Sequence, residues 1–229
     1  MKLPLLISVP HAGLWIPPEV RGICALTPQQ IAADGDEGAA EIYDLKEEAT
    51  AFVTTDVARA IVDLNRDEDD RTPDGVVKTH TCWNVPVYDE FPGEEVIEAL
   101  LDRYHRPYHT RLRDLARADV KLGLDCHTMA AKGPPVGPDA GLDRPWICLS
   151  NADGTCPQDW LESLASSFRR ILEGPVSLNV PFKGGHIIRS HAAELPWIQM
   201  EVSRAPFMSC PDKRSLLVSV LREWVSSVT

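Results

Sequence analysis

Apolar residues in this chain fall into short blocks, and the spacing within each block predicts the element it builds. Seven blocks are nearly unbroken, β-prone and closed by Pro, Gly or polar residues. They are Leu3–Val9, Ala51–Thr54, Ala60–Leu64, Val120–Cys126, Trp146–Ser150, Val176–Asn179 and Trp197–Val202. Runs of this kind predict buried strands. Other stretches carry the helical period. Glu94–Ala118 sets Val96, Leu100, Leu101, Tyr104 and Tyr108 along one face. Asp159–Leu172, Lys213–Val225 and Thr27–Glu48 complete the helices, the last with Thr27 as N-cap and Pro28 at the first helical position. The alternation predicts an α/β protein with a parallel or mixed sheet and helices on both faces. No repeat or linker divides the chain, so residues 1–229 read as a single domain. Residues 132–144, rich in Pro and Gly, predict a loop beside a strand end, where the wall or lid of a site would lie.

Composition narrows the function. With 44% hydrophobic and 25% charged residues, the chain has the make-up of a soluble globular protein. No run approaches the roughly 18 consecutive apolar residues of a membrane span, and no secretion signal is read at the start. The net charge of −11, with no Lys/Arg cluster, excludes nucleic acid as a partner. Six cysteines occur without a C-x-x-C pair, which excludes a zinc knuckle and points to reduced thiols in the cytoplasm.

The chemistry gathers at strand ends, where open α/β sheets bind ligands. Asp125-Cys126-His127 ends one apolar run, and Ser8-Val9-Pro10-His11-Ala12-Gly13 ends another. On a strand Cys126 points away from its neighbours, as a small buried residue. Two imidazoles at such positions suggest a metal, and a hydrolytic zinc usually has three His/Asp/Glu ligands with one open position. The third ligand is expected in the acidic, glycine-punctuated turn holding Asp34, Asp36 and Glu37. Glu201 interrupts an apolar strand, a costly place for a carboxylate unless it serves a metal, a substrate or an ion pair such as one with Arg204. Asn65-Arg66 follows the run Ala60–Leu64, and its guanidinium suits a substrate carboxylate, though the acids of 67–70 also offer it partners. Lys183-Gly184-Gly185-His186 could present backbone amides to a ligand. The absence of G-x-S-x-G, P-loop and G-x-G-x-x-G patterns argues against serine hydrolase and nucleotide chemistry.

Six motifs occur in order: Ser-Val-Pro-His-Ala-Gly at 8–13, Asp-Leu-Asn-Arg at 63–66, Tyr-His-Arg-Pro-Tyr-His at 104–109, Asp-Cys-His-Thr-Met at 125–129, Asn-Val-Pro-Phe-Lys-Gly-Gly at 179–185 and Gln-Met-Glu-Val-Ser-Arg at 199–204. Together they resemble the N-formylglutamate amidohydrolase family over most of the chain. The family is similar to zinc carboxypeptidases and aspartoacylase-type deacylases. The resemblance implies a three-layer α/β/α fold around a mixed, mostly parallel sheet. It also implies one zinc ion held by His11, Asp36 (or Glu37) and His127, with Glu201 as general base. Asn65 and Arg66 would hold the substrate carboxylate, with Lys183 and Arg204 nearby. The expected reaction is zinc-dependent hydrolysis of an N-acyl, most simply N-formyl, amino acid such as N-formylglutamate, a deformylation belonging to histidine degradation. The expected partner is a small carboxylate-bearing substrate, with no membrane. The alternatives are a carboxypeptidase-like or broader deacylase, and a non-catalytic metal- or ligand-binding protein.

Overall fold

The computed structural model describes residues 2–228 apart from Ala118 and Pro138. Six strands form one sheet, in the spatial order β2-β1-β3-β6-β4-β5. In chain order they are β1 (Leu3–Val9), β2 (Ala49–Thr54), β3 (Leu122–Met129), β4 (Ile147–Ser150), β5 (Val176–Leu178) and β6 (Trp197–Ser203). β2, β1, β3 and β6 run parallel, while β4 pairs antiparallel with β6 and parallel with β5. The sheet is therefore mixed and mostly parallel. From β1 the chain first places β2 on one side and later β3 on the other. A crevice opens beyond the strand ends at such a reversal. His11 and His127 lie there.

Helices cover both faces. One layer holds α2 (Ala39–Ile42), α5 (Gln158–Ile171) and α7 (Cys210–Val228). They pack on Leu5, Ile7, Leu124, Cys126, Ile198 and Met200, the residues of alternating parity that point to this side. The opposite layer holds α3 (Glu94–Leu100), α4 (Arg106–Leu115) and α6 (His186–Ser190). It packs on Leu6 and Trp197. α1 (Pro28–Asp34) begins with Thr27 and Gln30 in a reciprocal capping box and Pro28 in the first turn.

Three expectations need correction. Ala60–Leu64 is a buried turn, not a strand, closed by bonds from Ile61 N and Val62 N to Ala58 O. Its side chains still enter the core, which is why apolarity alone mistook it. The helix expected over Thr27–Glu48 breaks after Asp34. Gly35 is extended and Gly38 turns left-handed at φ +82°, so two short helices flank a loop that carries Asp36. Glu94–Ala118 forms α3 and α4 joined through a π-helical turn over Leu101–His105. Pro107, which has no N–H to donate backwards, follows that turn. The expected end at Ala118 lies outside the described residues.

Candidate active site

Three segments far apart in the chain deliver three donor atoms to one point. His11 lies two residues past β1, and Asp36 N donates to its carbonyl at 3.1 Å, which fastens the α1–α2 loop to the end of β1. His127 lies near the end of β3. Its Nδ1 lies 3.1 Å from His11 Nδ1 and 3.0 Å from Asp36 Oδ2, and the third separation, His11 Nδ1 to Asp36 Oδ2, is 3.7 Å. Ligands about 2.0–2.1 Å from a tetrahedral zinc stand about 3.3 Å from one another. The donor set therefore fits a small divalent cation. Glu37 is exposed, and the inward Asp34 spends Oδ1 on Cys82 N, so of the three acids it is Asp36 that joins the imidazoles.

The outer nitrogens of both rings are fixed by buried carboxylates. His11 Nε2 donates to Asp63 Oδ1 at 2.8 Å, and His127 Nε2 donates to Asp125 Oδ2 at 2.8 Å. Each bond leaves Nδ1 as the lone pair facing the cation position and raises the ring's basicity. Asp125 is two residues from His127 on one face of β3 and takes Ser8 Oγ at 3.0 Å. Asp63 is wholly buried yet well below the ordinary carboxylate range; burial opposes this, but His11, Lys78 and Arg59 outweigh it. Burial likewise opposes ionisation of Asp36, and hydrogen bonds to His11 and His127 hold it far below its usual value. Burial would lower His127, but Asp125, Asp36 and Glu201 drive it well above the usual imidazole value. This cluster of acids is built to hold positive charge.

Glu201 stands beside His127 because β6 pairs with β3 in the register His127↔Glu201. Burial pushes it up to about 7, with His127 pulling down and Asp36 adding to the rise. It does not pair with Arg204. Gln199 Nε2 donates to Glu201 Oε1 at 2.9 Å, and Gln199 Oε1 accepts from Gly185 N at 2.6 Å. The Lys183–His186 segment thus spends one glycine amide on Gln199 rather than on a ligand. Gly185 must lack a side chain, since a Cβ there would lie 2.3 Å from the Asn65 amide.

A cavity of about 260 Å³ opens over these groups. Arg66, Lys183 and Arg204 all line it, as do Asn65 and Glu201. The loop 132–144 supplies Pro134, Val136 and Arg144 to its wall, and Val136 N bonds Cys82 O beside Trp83. Arg144 is held in place by Asp139 at 2.6 and 2.8 Å and lies over the Phe182 ring. Asn65 is built into the wall: Nδ2 donates to Asp125 Oδ2 at 3.2 Å, and Oδ1 accepts from Ile187 N at 2.8 Å. Arg66 bonds Asp74, not the acids at 67–70. Arg204 reaches Gly35 O at 3.4 Å.

Sequence reasoning missed Asp63, Arg59, Lys78, Asp74 and Gln199. Asp125 and Gln199 had a legible signal, since each lies two residues before a site residue on the same strand face. Asp63 and Asp74 had none, because a buried turn brings in the first and an exposed loop the second.

Residues 3–208 match the N-formylglutamate amidohydrolase family. The N-formylglutamate deformylase of Pseudomonas putida is 27% identical over 233 residues, covering 90% of this chain and 82% of that one. Its counterpart in Pseudomonas aeruginosa is 28% identical over 261 residues, covering 99% and 93%. The solved N-formylglutamate amidohydrolase of Ralstonia eutropha shares the fold with TM-score 0.83 at 19% identity, covering 99% of this chain and 94% of that one. A gene product of Agrobacterium tumefaciens does so at 0.79 and 17%, covering 100% and 91%.

Proposed function

The chain belongs to the N-formylglutamate amidohydrolase family, and from that premise we propose that it hydrolyses the amide of an N-formyl amino acid, N-formylglutamate first among them, as a zinc enzyme. The observation that carries this is the convergence of His11, Asp36 and His127 within 4.8 Å, with Glu201 in register beside them. Zinc held by those three side chains would supply Lewis acidity toward the amide carbonyl and toward water. Glu201 takes the proton of the attacking water on a carboxylate oxygen and returns it to the departing amine nitrogen, so formate and the free amino acid leave. A base poised at about 7 suits both halves of that transfer near neutrality. Gln199 aims the carboxylate. Arg66 binds one substrate carboxylate, and Arg204 and Lys183 supply cations for a second. Asn65 acts between them, donating to Asp125, the carboxylate that fixes the His127 ring. The six free cysteines suit a reducing cytoplasm, and no described helix is long and apolar enough to cross a membrane.

The zinc-loaded protein assayed against formyl, acetyl and succinyl amino acids should turn over N-formylglutamate fastest. Glu201→Gln should lose about 10²–10⁴-fold in kcat while keeping its zinc. A Gln variant as active as the parent would remove the base, and no turnover of any N-acyl amino acid would leave a binding protein.

A further inference from the structure

The guanidinium of Arg66 is already half occupied. Its Nε donates to the Asp74 backbone carbonyl at 2.8 Å, and its Nη2 donates to Asp74 Oδ2 at 2.7 Å. Asp74 thus takes one whole edge of the fork and leaves Nη1 and the outer N–H of Nη2 as the edge for a ligand. A carboxylate beside a substrate-binding arginine would normally weaken it, by cancelling the charge the substrate needs. Here the ammonium of Lys78, fully buried, bonds Asp74 Oδ1 and lies 3.2 Å from Asp63 Oδ2. Lys78 takes up the charge of Asp74, so Arg66 gains a fixed direction without losing its attraction for an anion.

The loop is made to hold this arrangement. Asp70 Oδ1 accepts from Thr72 N and Oγ1, Gly75 N bonds Thr72 O, and Val76 O accepts from Asp63 N at 2.8 Å. A Cβ on Gly75 would lie 2.2 Å from Asp70 O. Residues 70–76 are thereby tied to the turn that carries both Asp63 and Arg66.

We infer that Asp74 and Lys78 are positioning residues that orient Arg66 so that only its Nη1/Nη2 edge reads the substrate carboxylate. This deepens the reading of Arg66 given above and rests on it. The fixed edge sets the direction from which a carboxylate enters and hence which of the two in N-formylglutamate Arg66 holds. Asp74 is 54% exposed, so Asp74→Asn should fold.

The test is a double-mutant cycle of Asp74→Asn and Arg66→Ala, assayed on N-formylglutamate and on its two mono-amides, with zinc content measured in each variant. Asp74→Asn should raise KM for N-formylglutamate about tenfold, with kcat within about twofold and zinc unchanged. The rise should vanish on the mono-amide lacking the carboxylate Arg66 reads, and in the Arg66→Ala background. Arg66→Ala raising KM while Asp74→Asn does not would overturn this inference and leave the proposed function standing. A KM effect of Asp74→Asn that persists without Arg66, or a loss of zinc, would also overturn it. An unchanged KM in Arg66→Ala would instead remove Arg66 from carboxylate binding, and this inference with it.

Discussion

At the residue scale the site is a set of charges that stabilise one another only in this arrangement. Asp36, His11 and His127 lie within bonding distance of a common point, while Glu37 faces outward. Asp36→Ala should therefore weaken zinc binding at least about a hundredfold, and Glu37→Ala hardly at all, by titration against a chromogenic chelator. The opposite ranking would move the ligand by one residue. Much of this was legible in the sequence. His11, His127 and Glu201 each end or interrupt an apolar strand, and a polar side chain is tolerated there only for a reason. Asp63 was not legible, because its place beside His11 is set by a turn whose path no local pattern encodes.

At the element scale, register does what propensity cannot. β3 and β6 align Gly123↔Trp197, Asp125↔Gln199 and His127↔Glu201, so one pairing orders the structural and chemical ends of the same face. Gly123 is needed because the Trp197 ring lies over it, and a Cβ there would meet ring atoms at 2.3 Å. Gly123→Ala should cost about 1–3 kcal/mol in urea unfolding, the usual range for overpacking a core. A change below about 0.5 kcal/mol would show that the ring moves freely. The sequence foretold six of these strands from apolar runs. It failed at Ala60–Leu64, where burial without extension looks the same as a strand, and inside Thr27–Glu48, where two glycines outweigh the helical period.

At the scale of the whole molecule, four of the seven histidines pack together on the α4 side of the sheet. Burial is the main cause that lowers His105, His109, His186 and His191, and it takes His109 to about 3. His109 Nε2 donates to Leu64 O and His105 Nε2 to Arg66 O, so these neutral rings grip the loop around Asn65. The unfolded chain takes up their protons near 6.5, and the folded chain resists. Their stability contribution is full above about 6.5 and shrinks as pH falls through the folded values, a loss that for His109 continues down to about 3. Glu201, raised to about 7, works the other way between about 7 and 4.5, and the raised His127 does so only above about 6.5, so below that point one group opposes four. The urea midpoint should therefore drop between about pH 6.5 and about pH 5. A midpoint that holds or rises would mean the cluster already carries charge at neutrality.

The three donors come from residues 11, 36 and 127, on separate stretches of backbone. An ion bound by all three is a removable crosslink, joining the first strand, the loop behind it and the middle of the sheet in a way an unfolded chain cannot keep. Zinc at a hundred times its dissociation constant should add about 2.7 kcal/mol to unfolding, seen as a rise in Tm that a chelator reverses. The same cation that would enable turnover would then also regulate how long the folded enzyme survives when zinc is scarce.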